Sequence, residues 1–414
     1  MNLKKYYSGI AAAFALAAMV SCSQDQTTEL PTVEEPQAAQ SYSEIIPGQY
    51  IVVYRESGKM SGDHRLNSLQ VQQKTQDVLI KNAVEGAEVV QVYSAALSAV
   101  TLKMSKSDAL KLSKSSEVAY VEQDRIVALA PPCGTPKGGP CEEPPGEEDG
   151  GGDGGTGTQT TPYGITRVNG GVTYTGSNVA WILDSGIDLD HEDLNVDASR
   201  GFNAFTSGKD GGSLDDGNGH GTHVAGTVAA LNNSVGVVGV AAGATVIPVK
   251  VLDSRGSGSY SGVIAGVDHV AANGNDGDVA NMSLGGPTSQ ALDDAILRAV
   301  SEKDIRFVLA AGNDGDDASN YSPARVEHTT RVFTISAVDN NDVFAYFSNY
   351  GTPVDYAAPG VSIESTWKNG GYNTISGTSM ASPHVAGILL LGNISSGGTV
   401  TGDKDNSPDT IAVH

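Results

Sequence analysis

Apolar residues recur with strand and helix periods in two parts of the chain. In the first part, runs rich in β-branched and aromatic residues predict four strands, at 49–54, 89–93, 99–104 and 118–121. Stretches 64–84 and 107–112 predict helices. In the longer one the apolar positions are Leu66, Leu69, Val78, Leu79 and Val84. The order β-α-β-β-α-β predicts a small α+β domain of ferredoxin-like arrangement.

The second part, from Gln159 onward, alternates short apolar strands with helical stretches. The strands are predicted at 179–183, 245–249, 279–282 and 307–310. This alternation predicts an α/β fold with a mainly parallel central sheet flanked by helices. Folds of this class bind ligands at the carboxyl ends of strands and the amino ends of helices, so functional residues are expected there.

The remaining segments are polar or short. Residues 1–22 carry two positive charges near their start, Lys4 and Lys5, followed by an apolar run at 10–20. This run is shorter than the roughly 20 residues that a membrane helix needs. The segment therefore predicts a signal peptide. Residues 131–158 are rich in Gly, Pro and acidic residues and predict a flexible linker. The predicted organisation has five parts: signal peptide 1–22, polar tether 23–43, α+β domain 44–130, linker 131–158 and α/β domain 159–414.

Composition narrows the function further. The 48 acidic and 25 basic residues give a net charge of −23, which argues against binding of nucleic acid or of an anionic membrane surface as the main activity. Three cysteines exclude a disulfide-dense scaffold. Cys133 and Cys141 lie in the linker and either pair in an oxidising compartment or remain thiols. We expect a monomer.

Three sequence blocks carry candidate chemistry. Asp184 ends an apolar strand, His220 follows a glycine-rich turn that opens a helix, and Ser379 begins another helix. A serine hydroxyl needs an imidazole to take its proton before it can attack a carbonyl, and the imidazole needs a carboxylate to fix its tautomer. The blocks therefore predict nucleophilic acyl transfer, with the chain order Asp, His, Ser.

These blocks, Asp184-Ser-Gly, His220-Gly-Thr-His and Gly377-Thr-Ser379-Met-Ala, resemble the signatures of the subtilases, the subtilisin and proteinase K family of serine proteases (peptidase family S8). The resemblance implies that Asp184 orients His220, that His220 is the general base and that Ser379 is the nucleophile. It also implies that Asn313 donates to the oxyanion, together with the backbone N–H of Ser379. His223 and His384 are expected to be structural.

Residues 46–52 and 118–124 resemble the I9-type inhibitor propeptide of the same proteases. This implies an inactive precursor that cleaves itself between residues 124 and 161. Residues 18–22 resemble a bacterial lipoprotein cleavage site, which implies acylation of Cys22; the alternative is ordinary cleavage nearby that leaves Cys22 unmodified. A lipid on Cys22 would lie on the propeptide side of the linker, so cleavage would release the protease unless the propeptide stays bound.

The resemblance also implies a substrate-binding region in which an extended peptide pairs with two segments of the enzyme. It would take apolar or aromatic side chains of protein and peptide substrates. The implied residues are Gly256, Ser257, Gly258 and Tyr260, then Ser283, Leu284 and Gly285, and finally Ala310, Ala311 and Gly312. Without the resemblance the glycines would read as ordinary turn residues.

Two structural calcium sites are implied in the same way. The first is a shell of carboxylate, amide and carbonyl oxygens, a donor set that suits Ca²⁺. Its implied ligands are Gln159, Asp193, Leu231, Asn233, Val235 and Val237. The second joins Asp355 to the carbonyls of Thr330 and Val332, with a solvated loop aspartate as the alternative.

One departure from the family concerns the end of the chain. Only 35 residues follow Ser379, and 392–414 is polar, so the packing of this segment is in question although the helix after Ser379 is expected to run to Leu391. Two functions remain open. The first is a secreted or lipid-anchored serine endopeptidase made as a self-cleaving zymogen; the second is a catalytically silent binding protein of the same fold on the cell envelope.

Overall fold

The computed structural model describes residues 44–55, 64–129, 158–328 and 330–414. The predicted signal peptide, tether, Cys22, Cys133, Cys141 and nearly all of the predicted linker lie outside these residues. Within the described ranges, no helix is both long and apolar enough to cross a membrane.

The N-terminal domain, 44–129, has the predicted order of elements. They are β1 (Ile45–Tyr54), α1 (His64–Lys81), β2 (Glu88–Tyr93), β3 (Ala99–Lys103), α2 (Lys106–Leu112) and β4 (Val118–Ala128). The strands form an antiparallel sheet in the order β4-β1-β3-β2. Alternate residues of β1 face opposite sides: Tyr50 and Val52 pack with the helices, whereas Ile51 and Val53 join a second core.

Two details of this domain differ from the sequence prediction. Strand β4 continues to Ala128 rather than ending at Val121, because its last residues pair with a strand of the C-terminal domain. In α1, Leu66 and Leu69 are exposed, whereas Asn67 and Thr75 are buried. The polar side chains tolerate burial because they are hydrogen-bonded: Thr75 accepts from Tyr54 Oη at 2.8 Å, and Asn67 donates to the carbonyl of Ser94 at 3.3 Å.

The C-terminal domain, 158–414, contains five helices and sixteen strands within its described residues. The helices are α3 (Tyr163–Arg167), α4 (His220–Ala229), α5 (Tyr260–Asn273), α6 (Gln290–Glu302) and α7 (Thr378–Leu391). The strands are β5 (Val172–Thr173), β6 (Ala180–Asp184), β7 (Phe202–Asn203), β8 (Ala241–Ala242), β9 (Val246–Lys250), β10 (Ser257–Ser259), β11 (Val279–Met282), β12 (Gly286–Pro287), β13 (Arg306–Ala310), β14 (Tyr321–Ser322), β15 (Val332–Val338), β16 (Val354–Pro359), β17 (Ile363–Trp367), β18 (Gly371–Ile375), β19 (Ser395–Thr399) and β20 (Thr410–Val413).

The predicted fold class is confirmed. The central sheet has nine strands among the described residues, in the order β19-β20-β16-β15-β13-β11-β6-β9-β7, and every neighbouring pair is parallel except β19 and β20. Trp181 and Leu183 of β6 pack under α5 and α6, whereas Ala180 and Ile182 pack under α4 and α7. Both faces are covered, which explains the continuous apolar runs of the strands.

The N-terminal domain rests on the amino ends of α5 and α6. Glu122 accepts hydrogen bonds from Ser289 Oγ at 2.5 Å and from the backbone N–H of Ala291 at 3.0 Å, at the start of α6. Asp124 accepts from the backbone N–H of Ser261 at 3.2 Å, at the start of α5. The positive end of each helix dipole stabilises these carboxylates and thereby fixes β4 against the C-terminal domain.

The polar segment 392–414 is ordered into β19 and β20, which no pattern in the sequence predicted. Strand β20 pairs with β16 in parallel, and its residue Ile411 is fully buried. Ser336 of β15 donates to Asp409 at 2.6 Å, so a polar residue before β20 also finds a partner. Helix α7 ends at Leu391 as predicted.

Candidate active site

Asp184 and His220 form the best-defined pair of the site. Nδ1 of His220 donates to the buried carboxylate of Asp184, with both oxygens at 2.9 Å, which leaves Nε2 as the acceptor. Burial lowers the pKa of His220, but the charge of Asp184, its hydrogen bond and the charge of Asp216 outweigh burial, so the pKa of His220 lies above its usual value. The imidazole is thus held in the tautomer that can accept a proton.

Local backbone geometry brings this pair together. Asp184 is the last residue of β6 and His220 is the first of α4. The second residue of α4 is Gly221, where an added Cβ would lie 2.1 Å from the carbonyl oxygen of Gly186. Only glycine lets the helix begin so close to the turn that follows Asp184.

Asp216 is a functional residue to which sequence reasoning gave no role. Its carboxylate accepts from the backbone N–H groups of Gly219 at 2.8 Å and Thr222 at 2.9 Å, and therefore caps α4 where His220 begins. It also accepts from Ser185 Oγ at 2.9 Å, next to Asp184. An Asp four residues before the helix-opening histidine was the available signal.

Ser379 is the second residue of α7, which packs directly against α4. Its Oγ donates to the carbonyl of Ser283 at 3.1 Å, and Ser283 Oγ donates to the carbonyl of Ser379 at 2.7 Å. Among the described residues no hydrogen bond joins Ser379 to His220. Such catalytic contacts commonly form only when substrate is bound.

Asn313 lies beside the amino end of α7. Its Oδ1 accepts from the backbone N–H of Thr378 at 2.8 Å and from the hydroxyl of Thr378 at 3.0 Å, which fixes the amide and turns Nδ2 away from them. A Cβ built on Gly377 would lie 3.6 Å from Asn313 Nδ2 and 3.7 Å from the backbone nitrogen of Ser379. The two donors therefore border one small space.

Two of the predicted substrate segments adjoin this point, and the third lies at β10. The stretch 256–258 includes the start of β10, Ser283 contacts Ser379, and the backbone N–H of Gly312 donates to Thr378 Oγ1 at 3.1 Å, so that 310–312 ends beside α7. Leu284 and Tyr260 are buried, and Tyr260 Oη donates to the carbonyl of Pro287. Ser257, Gly285, Ala310 and Ala311 lie within the same segments.

The N-terminal domain already occupies β10. Residues 126–128 of β4 pair with 257–259 in antiparallel register, and the backbone N–H of Leu129 donates to the carbonyl of Gly256 at 2.8 Å. Val127 is buried next to Gly286 and belongs to the same apolar cluster as Tyr260. An extended peptide can therefore bind to this strand.

His223 and His384 are both fully buried. Burial lowers the pKa of His223 to about 3 and that of His384 to about 4, so both are neutral. His223 donates to the carbonyl of Ile363 at 2.9 Å and His384 to that of Met380 at 2.8 Å. His223 thus joins α4 to β17, whereas His384 bonds within its own helix, α7.

All six residues implied for the first calcium site form one cluster. The Nε2 atom of Gln159 lies close to four oxygens, those of the Leu231 carbonyl (2.6 Å), Asn233 Oδ1 (3.3 Å), the Val235 carbonyl (3.4 Å) and the Val237 carbonyl (3.0 Å). Asp193 accepts from Asn233 Nδ2 at 2.7 Å and from the backbone N–H of Val237 at 3.0 Å. Oxygens converging on one point, with a carboxylate beside them, fit a Ca²⁺ shell if the amide of Gln159 turns its oxygen inward.

The residues implied for the second site are less closely joined. Asp355 accepts from the backbone N–H of Thr334 at 2.9 Å, and burial raises the pKa of Asp355 to about 6. Val332 is the first residue of β15, and Thr330 precedes it. No hydrogen bond of the described residues links Asp355 to either, and this site remains a prediction.

A hydrogen-bonded carboxylate–imidazole pair, a serine at a helix amino end and a neighbouring amide are the groups that serine hydrolases use. Comparison with known proteins also indicates a serine protease. Residues 176–392 match the subtilase family model, and residues 49–130 match that of peptidase inhibitor I9.

Curated relatives and a solved structure extend the comparison. An extracellular serine proteinase of Thermus sp. (strain Rt41A) is 38% identical over 382 residues, which cover 87% of this chain and 83% of that protein. The alkaline serine exoprotease A of Vibrio alginolyticus is 37% identical, over 84% of this chain and 60% of that protein. The crystal structure of a cold adapted subtilisin-like serine proteinase, 36% identical, matches with a TM-score of 0.51 over 60% of this chain and 96% of that chain. The chain belongs to the subtilase family of serine proteases and carries an I9 propeptide as its N-terminal domain.

Proposed function

We propose that the protein is a secreted serine endopeptidase made as a zymogen, with Asp184, His220 and Ser379 as its catalytic triad. The observation that carries the proposal is the contact of both Asp184 oxygens with His220 Nδ1 at 2.9 Å, on the helix that packs against α7, whose second residue is Ser379. That contact leaves Nε2 free to act as a base, which is what a serine nucleophile requires.

The reaction follows from this arrangement. Ser379 Oγ attacks the carbonyl carbon of the scissile peptide while its proton passes to Nε2 of His220. The negative charge that develops on the carbonyl oxygen receives hydrogen bonds from Asn313 Nδ2 and the backbone N–H of Ser379. The imidazolium returns the proton to the leaving amine, and an acyl-enzyme remains. Water then repeats the same steps and frees Ser379.

Substrates are proposed to be proteins and peptides with apolar or aromatic side chains near the cleaved bond. The main chain of the substrate would pair with 256–258 and 283–285, which gives affinity with little sequence preference. The pairing of β4 with β10 supports this, since it provides an example of a bound extended segment. The small residues Ala310, Ala311 and Gly312 leave room for the side chain that precedes the cleaved bond.

The N-terminal domain is proposed to inhibit the enzyme until the chain is cut. Its last strand covers β10, and the cut would fall between 124 and 161. The proposed parts of the chain are the signal peptide 1–22, the tether 23–43, the propeptide 44–130, the linker 131–158 and the catalytic domain 159–414. Ca²⁺ held by Gln159, Asp193 and the loop 231–237 would fasten the start of the mature domain to the end of α4. Its role there is structural, because none of these residues contacts the triad.

Export is proposed as well. The Thermus relative bears the name extracellular serine proteinase, and residues 1–22 of this chain have the composition of a signal peptide. We extend the proposal to a lipid on Cys22, which would anchor the precursor and be separated from the protease by cleavage in the linker.

The test compares wild type with Ser379→Ala, each expressed as the full chain in the presence of calcium. Wild type is expected to shorten itself and to hydrolyse casein, whereas Ser379→Ala stays at full length and is inactive. If both chains remain full length and neither hydrolyses casein, the chain is a silent binding protein and the proposal is wrong. Amino-terminal sequencing of the wild-type product locates the cut.

A further inference from the structure

Lys250 is a buried charge that the proposed mechanism does not use. It is the last residue of β9, lies opposite Asp184 in the parallel register of β6 and β9, and is 1% exposed. A buried ammonium is strongly unfavourable unless it is paired and hydrogen-bonded. Lys250 therefore needs polar partners inside the protein.

The ammonium of Lys250 has two hydrogen-bond acceptors and one ion-pair partner. Nζ donates to the carbonyl of Ser185 and, at 3.4 Å, to the carbonyl of Asp215. The third partner is the carboxylate of Asp210, with Oδ1 also at 3.4 Å. The group is thus hydrogen-bonded to two backbone oxygens and paired with one charged oxygen.

These partners adjoin both members of the Asp184–His220 pair. Ser185 directly follows Asp184 and donates its own N–H to Asp184 Oδ1 at 2.7 Å. Asp215 directly precedes Asp216, which caps the helix that begins at His220. One ammonium therefore joins the turn after the carboxylate to the loop before the imidazole.

We propose that Lys250 is a positioning residue that sets the geometry of the Asp184–His220 contact. It touches neither substrate nor the reacting atoms; it acts through the carbonyls of Ser185 and Asp215. The inference rests on the proposed function, because it assigns Lys250 a role in positioning the proposed triad. It predicts an effect on turnover that is separate from the effect on substrate binding.

The test is Lys250→Met, which fills the same space without the ammonium. The full chain is allowed to process itself, and active sites are titrated so that kcat is counted per functional site. We expect kcat to fall about 10- to 100-fold, because displacement of a catalytic group by about 1 Å has effects of that size, while KM changes less than about twofold. The downfield proton signal of the Asp184–His220 hydrogen bond is expected to broaden or shift.

Lys303→Met is the matched control. Lys303 also donates to two backbone carbonyls, those of Ala272 at 3.1 Å and Gly274 at 2.8 Å, but at the end of α6. We expect it to keep the wild-type kcat and the wild-type proton signal. If both variants lose stability but only Lys250→Met loses kcat, the loss of kcat is specific to Lys250.

If Lys250→Met does not fold, Asp210→Asn replaces it. This change removes the ion pair but leaves the carbonyl contacts, and kcat is expected to fall about 2- to 5-fold with KM unchanged. The inference is overturned if the wild type is active and folded Lys250→Met has the same kcat. If Lys250→Met does not fold, a wild-type kcat in Asp210→Asn overturns it. An inactive wild type instead overturns the proposed function.

Discussion

Val127 of the N-terminal domain lies opposite Gly258 of the C-terminal domain in an antiparallel strand pair. The side chain of Val127 is 1% exposed and packs in the cluster that contains Tyr260, whereas the next residue, Ala128, is exposed. The segment thus lies in an extended conformation, with alternate side chains facing the protein and the solvent.

Val127→Asp is expected to lower the affinity of the N-terminal domain for the C-terminal domain by about 100-fold or more, because an unpaired carboxylate would be buried in an apolar pocket. The change is made in the Ser379→Ala chain, so that no self-cleavage interferes. Trypsin then cuts at Lys137, the single Lys or Arg between 131 and 158, and gel filtration shows whether the two parts stay together.

Ala128→Asp serves as the control for that experiment. Its carboxylate would face solvent on the same strand, so the two parts are expected to co-elute as they do without the change. Separation in both variants, or in neither, would contradict the assignment of Val127 to the pocket.

The pH dependence of activity reports on His220. Protonated His220 cannot accept the serine proton, so kcat/KM is expected to fall as the pH drops through the pKa of His220. Because Asp184 and Asp216 raise that pKa, the acid limb should lie above the ordinary histidine value near 6.5. Asp216→Asn removes one of these charges and should move the limb to lower pH.

Asp215→Asn is the matched control, since its carboxylate is exposed and adjacent in sequence. Its acid limb is expected to coincide with that of wild type. A limb that stays in place or rises in Asp216→Asn would contradict the electrostatic role assigned to Asp216.

Calcium should stabilise the folded protein through the cluster around Gln159. Ligand present at a thousand times its dissociation constant contributes about 4 kcal/mol, so chelation is expected to lower Tm in calorimetry. Asp193→Asn should remove most of this calcium-dependent shift. Asp355→Asn tests the second site in the same assay. If calcium shifts the Tm of Asp193→Asn as far as that of wild type, the first site has been assigned wrongly.

The final strand should matter for stability although the segment that contains it, 392–414, is mostly polar. Ile411→Ala is expected to lower the free energy of unfolding in urea by about 2–5 kcal/mol, because the side chain is fully buried beneath the sheet edge. Thr399→Ala, exposed on β19, should cost less than about 1 kcal/mol. Equal effects of the two changes would mean that β20 contributes no core.

Sequence patterns sufficed where burial alone dictates structure. Strand β11 has the predicted bounds, 279–282, because both of its faces are covered and all four side chains are buried. The end of β4 was missed because it depends on β10, more than a hundred residues away. Strands β19 and β20 were missed for a related reason: β20 is ordered by pairing with β16 and β19 by pairing with β20. In sequence, β19 has no apolar side chain and β20 is a run of only four residues.

For the candidate site, motifs indicated which residues carry the chemistry but not how they are supported. Asp184, His220 and Ser379 stand out by residue type and context, whereas Asn313 was implied by family resemblance. The cap that Asp216 provides and the contacts of Lys250 arise only when loop, strand and helix are folded together. The residues around Gln159 were implied by family resemblance, since carbonyl ligands leave no pattern of side chains.

The most direct test of the central claim is covalent labelling with a fluorophosphonate, which reacts with a serine only when a neighbouring base activates it. Processed wild type is incubated with the reagent and digested, and the label is located by mass spectrometry. A single label on the peptide that contains Ser379, absent from His220→Ala, is the predicted result. No label on Ser379, or equal labelling in His220→Ala, would contradict the assignment of the triad.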